Sequence, residues 1–306
     1  MPEIAYFALM FFAAGYILSS SLECALLFRG YVLQSAYEEK FFSCLRFASI
    51  ISNVFFVYIF AIFLLLFPRA TSLLSPLYND LLLFLLFFAL RAAGVIGAYY
   101  LPLRSRRWHA LSVFGSMGSL ITFSSVYIFF LTGEISPAQP VIFFLLAGIL
   151  MSACIMIPSS FALLLAETNP KRALENIQTS ASACFFLFAA GFVSAISPLV
   201  VLPKKGSYLL AIIALLITLS FILRERHFSH RAFVLDSLSV VFLVCGIMYL
   251  RMPYLLFPSL TIQDAFTTSV LFQSPLPAFF FGLLFLMPGV LPLTNSLILK
   301  TKSSER

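Results

Sequence analysis

The sequence predicts an all-α polytopic membrane protein, and three observations carry that prediction. Nine apolar stretches are long enough to cross a bilayer, whose hydrocarbon core of about 30 Å needs about 20 helical residues. The chain is 61% hydrophobic and only 10% charged, against about 25% charge in a soluble domain. The alternation of an outer-membrane barrel is absent, and backbone groups in lipid must bond within their own segment, so the stretches are read as helices.

Taken in order, the apolar runs are residues 4–28, 47–67, 81–100, 111–131, 141–165, 179–202, 208–223, 232–250 and 276–299. The first follows Met1-Pro2-Glu3 with no basic segment before it, and it is long enough to span, so no cleavable signal is expected. The seventh is the shortest and the weakest span. Pro158, Pro198 and Pro288 interrupt later runs; broken helices can mark transporter sites, but no inverted repeat accompanies them. Most connections are short, which favours antiparallel neighbours. The longest connection on the outer side, residues 251–275, is rich in Pro, Ser and Thr and is expected to fold over the outer face.

Lysine and arginine set the orientation. Connections after the odd-numbered runs, with the tail, hold fourteen of them, the other side holds four, and Arg91 lies inside a run. That bias predicts the N-terminus outside and the C-terminus in the cytoplasm. The net charge of +7 therefore reads as topology and contact with anionic headgroups of membrane lipids, not as a nucleic-acid surface. The 37 phenylalanines supply lipid-facing and interhelical bulk, and with one Trp the 12 tyrosines take the interfacial positions.

No residue set for catalysis, cofactor binding or metal binding emerges. Cys24, Cys44, Cys154, Cys184 and Cys245 are scattered singly and read as small buried hydrophobes. His227 and His230 form a loop H-x-x-H among Arg224, Arg226 and Arg231, which would repel a cation. All three histidines, His109 included, flank runs and are not placed to ligate a haem within the membrane. Phosphate-binding and nucleophile-elbow motifs are absent.

Polar groups inside the runs carry the functional signal, because ionisable residues are costly in lipid. Glu23, Asn53, Arg91 and Asp236 stand out. Glu23 and Asp236 lie near the cytoplasmic boundary, where headgroup water is one destination for their carboxyls. Asn53 has the option of bonding a neighbouring helix. Arg91 is ten residues into its run, about 15 Å deep, farther than its side chain can snorkel. It needs a carboxylate, carbonyls or a water-lined cavity. Ser19 and Ser20 lie one turn deeper than Glu23 on the same face, with Ser21, Ser52 and Asn53 nearby in depth.

The segment after the eighth run contains Phe257-Pro258-Ser259, Leu260-Thr261-Ile262, Asp264-Ala265 and Thr267-Thr268. In that order these residues resemble the outer connection of subunit II of cytochrome bd quinol oxidases, with a short spacer deleted. Collinear with it, Gly15-Tyr16, Asn53-Val54-Phe55 with Pro68, Leu90-Arg91 with Gly94, and Glu167-Thr168-Asn169 with Lys171-Arg172 resemble that family's helix ends and turns. The resemblance implies nine helices, N-out and C-in, arranged as two four-helix bundles and a last helix. It places the first bundle in residues 1–140, the second in 141–250, and the outer loop, ninth helix and cytoplasmic tail in 251–306.

It also implies a haem-free chain in a bacterial inner membrane. The chain would pack on a haem-bearing subunit I, whose haems b and d carry electrons from quinol to O₂. Glu23, Ser52, Asn53 and Arg91 are the residues it would offer for assembly contacts or a proton path. The sequence departs from the family's pattern at Ser20, where a first-helix acid is expected, and at Ile50, where a second-helix acid is expected. Glu23 is then either the proton-uptake group or a headgroup anchor, and the missing acid at Ile50 favours a path wholly within the partner. The alternative reading is a transporter or permease with a midplane site at Arg91.

Overall fold

The computed structural model describes residues 2–33, 39–67, 69, 77–100, 106–132, 205–225, 228–250, 252–256 and 260–266. Six long helices account for most of them: α1 (Pro2–Leu33), α2 (Glu39–Leu66), α3 (Tyr78–Tyr100), α4 (Arg106–Thr132), α5 (Lys205–Glu225) and α6 (Ser229–Leu250). They coincide with the first four, the seventh and the eighth apolar runs. The fifth, sixth and ninth runs, and with them most of the expected second bundle and last helix, lie outside the described residues.

The helices are sorted for lipid rather than water. Leu82, Leu83, Leu85, Leu86 and Ile96 of α3 and Ile212, Leu215 and Leu219 of α5 are exposed, while Glu23, Arg91, Ser112 and Asp236 are buried. By length and composition, Pro2–Cys24 and Tyr78–Gly97 are long and apolar enough to cross a membrane; Phe47–Phe63 and Ala211–Leu223 are shorter apolar stretches.

Helix α1 is central. Most of its N-terminal half is buried, from Ala5 and Tyr6 through Phe12, Ala13 and Ala14 to Tyr16 and Ile17, while Ile4, Phe7 and Phe11 form one exposed apolar stripe. Apolar surface on every side suits a helix that meets other helices on most of its faces and lipid on the rest. It packs against α2, α4 and α6, and α5 packs on α6. Tyr16 meets Phe56, Phe84 and Phe123 of α2, α3 and α4, with the Phe123 ring centroid 4.6 Å away. Aromatic rings thus close the core where four helices converge.

Helices α3 and α4 approach closely because glycines line their seam. A Cβ on Gly94 would strike the backbone of Ser112, and one on Gly115 would strike the backbone of Arg91. Gly97 lies under the Trp108 ring and Gly118 under Phe87. Small residues let helix backbones pack tightly where lipid supplies no hydrophobic drive.

The connection after α6 departs from an all-α reading. It makes a short antiparallel hairpin, β1 (Tyr254–Leu256) with β2 (Leu260–Thr261), after a cis Met252–Pro253 bond. One helical turn follows, α7 (Ile262–Ala265), capped by the Thr261 hydroxyl accepting from the Asp264 amide at 3.2 Å. Ile262 and Ala265 are buried in the main core cluster, so this connection is packed onto the helix ends. The Arg69 guanidinium donates to the Asp264 carbonyl at 3.1 Å, and Phe67 meets Phe266 edge-on. The Tyr6 hydroxyl donates to the Met248 carbonyl at 3.0 Å, tying α1 to α6 beside it.

Candidate functional site

Of the four polar residues singled out, the three in the first three runs, Glu23, Asn53 and Arg91, meet at one point. The Arg91 guanidinium of α3 lies 3.0 Å from Glu23 Oε2 of α1. Its Nη2 also donates to Ser52 Oγ at 2.6 Å and to Asn53 Oδ1 at 2.8 Å, both on α2. Nη1 reaches Ser20 Oγ of α1 at 3.4 Å. Ser52 Oγ donates in turn to Glu23 Oε2 at 3.0 Å. The guanidinium carbon sits 4.9 Å from the centroid of the Phe88 ring, one turn earlier on α3.

Each position follows from local sequence. Ser20 and Glu23 lie three residues apart and share a face of α1. Ser52 and Asn53 are adjacent on α2, so their oxygens approach Arg91 from two directions. Gly115 lets α4 lie directly against the Arg91 backbone. A fork of five donors suits several acceptors at once.

Burial decides the electrostatics. The side chains of Arg91 and Glu23 are 3% and 0% exposed, so their attraction is weakly screened. Glu23 is therefore not at headgroup water; its carboxylate is inside the helix cluster, opposite a guanidinium. Asp236, also expected near headgroups, is buried on α6 at a distance in sequence from this group. Asn53 differs from its neighbours, because it is exposed on the α2 face that also presents Ile50, Val57 and Phe60. The amide closes the group on that side. Ile50, where the resemblance expects an acid, is exposed on the same face.

Other expectations are placed as follows. His109 is buried early in α4, before the apolar run, and desolvation holds its imidazole below the ordinary range. His227 and His230 have no described side chain. Among the described residues, no group of three or more His, Cys, Asp or Glu could hold a metal. Of the outer motif, Leu260, Thr261, Ile262 and Asp264 form β2 and α7, whereas Phe257, Pro258 and Ser259 lie outside the described residues.

Tyr16 was singled out only as part of a resemblance, and Ser112, Ser116 and Ser119 not at all. All four are buried. The Tyr16 hydroxyl neighbours Ser20 and Ser119 and lies within electrostatic reach of Arg91 and Glu23. The signal that could have found them is spacing: Tyr16, Ser20 and Glu23 recur at i, i+4 and i+7, as do Ser112, Ser116 and Ser119.

Comparison with known proteins supplies context for this geometry. The family model for cytochrome bd terminal oxidase subunit II matches residues 1–297. A solved structure, that of the bd oxidase from Geobacillus thermodenitrificans, superposes with a TM-score of 0.78 at 18% sequence identity. The superposition covers 97% of this chain and 99% of that one, so the two share a fold. Among curated proteins, none matches.

Proposed function

Because the chain belongs to the cytochrome bd terminal oxidase subunit II family, we propose that it is the haem-free subunit of a bd-type quinol:O₂ oxidase. It is a multi-pass membrane protein of the respiratory chain by family. Its location in a bacterial inner membrane, its packing on a haem-bearing subunit I, and the placing of haems b and d and quinol oxidation in that partner are parts of the proposal. Its own work is to support assembly.

The observation that carries this role is the buried group around Arg91. One guanidinium joins acceptors on α1 and α2 from a position on α3. Such a group fixes the register of three helices and so the surface they offer a partner. The geometry disfavours the transporter reading, since Arg91 is already engaged by a carboxylate, an amide and two hydroxyls. It also disfavours Glu23 as the proton-uptake group, because its Oε2 is already engaged by the Arg91 guanidinium and by the Ser52 hydroxyl, each at 3.0 Å. Proton uptake is accordingly assigned to the partner.

The test is Glu23→Gln in the co-expressed complex, read as haem per complex and quinol-driven O₂ uptake per haem. The expected result is less assembled, haem-bearing complex with unchanged uptake per haem. A large fall in uptake per haem with haem content preserved would move the proton path into this chain. Purification of the chain without a haem-bearing partner, under conditions that keep membrane complexes intact, would refute the subunit reading itself.

A further inference from the structure

Arg231, in the first turn of α6, is exposed, and its guanidinium carbon lies 5.1 Å from the centroid of the exposed Phe228 ring. An aromatic face within about 6 Å attracts a guanidinium, so the ring holds the cation in place. Among the described residues, no carboxylate, carbonyl or hydroxyl takes its N–H donors. Beyond it along α6, Val234, Leu238 and Phe242 are exposed. They follow Arg231 at spacings of three, four and four residues, so all four lie on one face of the helix. From Arg231 to Phe242 that face runs about 16 Å, about half of a hydrocarbon core of about 30 Å. A cation at one end and an apolar stripe one leaflet deep match a single lipid.

Helix α5 brings a headgroup to this level. Its apolar run, residues 208–223, is 16 residues long, about 24 Å and so shorter than the core. Lys204 and Lys205 precede the run, and Arg224 and Arg226 follow it. Ile212, Leu215, Leu219 and Ile222 are exposed at helical spacing along it, so this short span is open to lipid on one face. A bilayer meets a short span by thinning or by snorkelling of the flanking residues, and headgroups then approach its ends. The two helices are tied at the Arg231 end. The Phe228 amide donates to the Leu223 carbonyl at 2.9 Å, and Ser220 Oγ donates to the Ala232 carbonyl at 3.1 Å. Residues 224–231 hold three arginines against one acid, Glu225. The basic bias predicts this end to be cytoplasmic, where anionic lipids attract basic segments.

We infer that an anionic phospholipid binds on α6, its phosphodiester on the Arg231 guanidinium beside Phe228 and an acyl chain along Val234, Leu238 and Phe242. The fork of a guanidinium offers paired donors to phosphate oxygens. The site shares no residue with the Arg91 group, and it holds whether or not the chain serves an oxidase.

The experiment uses the intact complex purified in detergent, stripped of lipid and titrated with phosphatidylglycerol or phosphatidylcholine. Native mass spectrometry counts the lipid retained, and thermal unfolding reads its effect. Phosphatidylglycerol is expected to be retained severalfold better than phosphatidylcholine and to raise the melting temperature. Arg231→Gln, an exposed substitution, is expected to melt like the parent without lipid and to lose that preference. Phe228→Leu, which keeps the cation but not its platform, is expected to lose part of it. Arg107→Gln, at another exposed arginine near a helix start, is expected to keep it. Phosphatidylglycerol retained no better than phosphatidylcholine overturns the proposal, as does a preference unchanged in Arg231→Gln. An equal loss in Arg231→Gln and Arg107→Gln overturns it too, being the result for diffuse charge rather than a site. So does an equal rise in melting temperature with inorganic phosphate alone, since the ligand is then a free anion. A photocrosslinker at Leu238 is expected to capture lipid; capture of a second polypeptide there overturns the assignment of that face.

Discussion

Arg91 shows how one residue can be read from sequence and its partners not. Its depth demanded an acceptor, and the demand could be stated without any structure. That the acceptor is Glu23, joined by Ser52 and Asn53, depends on how three separate helices are registered, which no local pattern encodes. Removing one member of such a buried pair leaves a charge uncompensated, at a cost of about 3–5 kcal/mol. Arg91→Leu is therefore expected to lower the stability of the complex by that order, measured by thermal unfolding in detergent. The paired change Arg91→Leu with Glu23→Leu should recover most of the loss, because apolar replacement of a whole buried pair is often near neutral. If the double variant is as unstable as the two single losses added, the ion pair is not what Arg91 contributes. Arg91→Lys should fall between, since an ammonium keeps the charge but cannot span acceptors on both α1 and α2.

At the scale of elements, apolar length located the six long helices, because lipid removes every alternative to the helix for a run of that size. The same logic failed for the connection after α6. Its strands are three and two residues long, too short for any alternation to show, and proline obscured them further. The serine face of α4 was missed for a different reason: serines in membrane helices commonly bond back to their own backbone, as Ser112 and Ser119 do, so their i, i+4, i+7 spacing is easily passed over. The contact between α3 and α4 makes a sharper prediction. At Gly115 a new side chain meets the Arg91 backbone, which cannot move without shifting α3, whereas at Gly118 it meets the Phe87 ring, which can rotate. Gly115→Val should cost more stability than Gly118→Ala, with overpacking penalties of about 1–3 kcal/mol in a core. The first should also reduce assembly, because it displaces the residue that joins the three helices. Equal melting temperatures for the two variants would show that the seam has more room than the glycines indicate.

For the whole molecule, charge distribution and helix count point to one topology. The nine apolar runs read from the sequence, with fourteen basic residues on one side and four on the other, predict a cytoplasmic C-terminus under the positive-inside rule. A C-terminal reporter that works only in the cytoplasm is expected to be active, and one that works only outside is expected to be silent; the reverse pattern would invert the reading. The division of labour between subunits is tested by expressing the chain alone. Its three histidines flank apolar runs, whereas an axial haem ligand must project from a span into a bundle interior. The purified chain is therefore expected to show no Soret band, and co-expression with a haem-bearing partner is expected to bring one into the same detergent-stable particle. A Soret band from the chain alone, at close to one haem per polypeptide, would overturn the assignment of the haems to the partner. A band that never co-purifies would leave the fold standing and remove the partnership. That separation follows from the packing: the ion pair, the glycine seam and the aromatic core of α1 to α4 all lie within this chain, so its first helices can assemble before any partner docks.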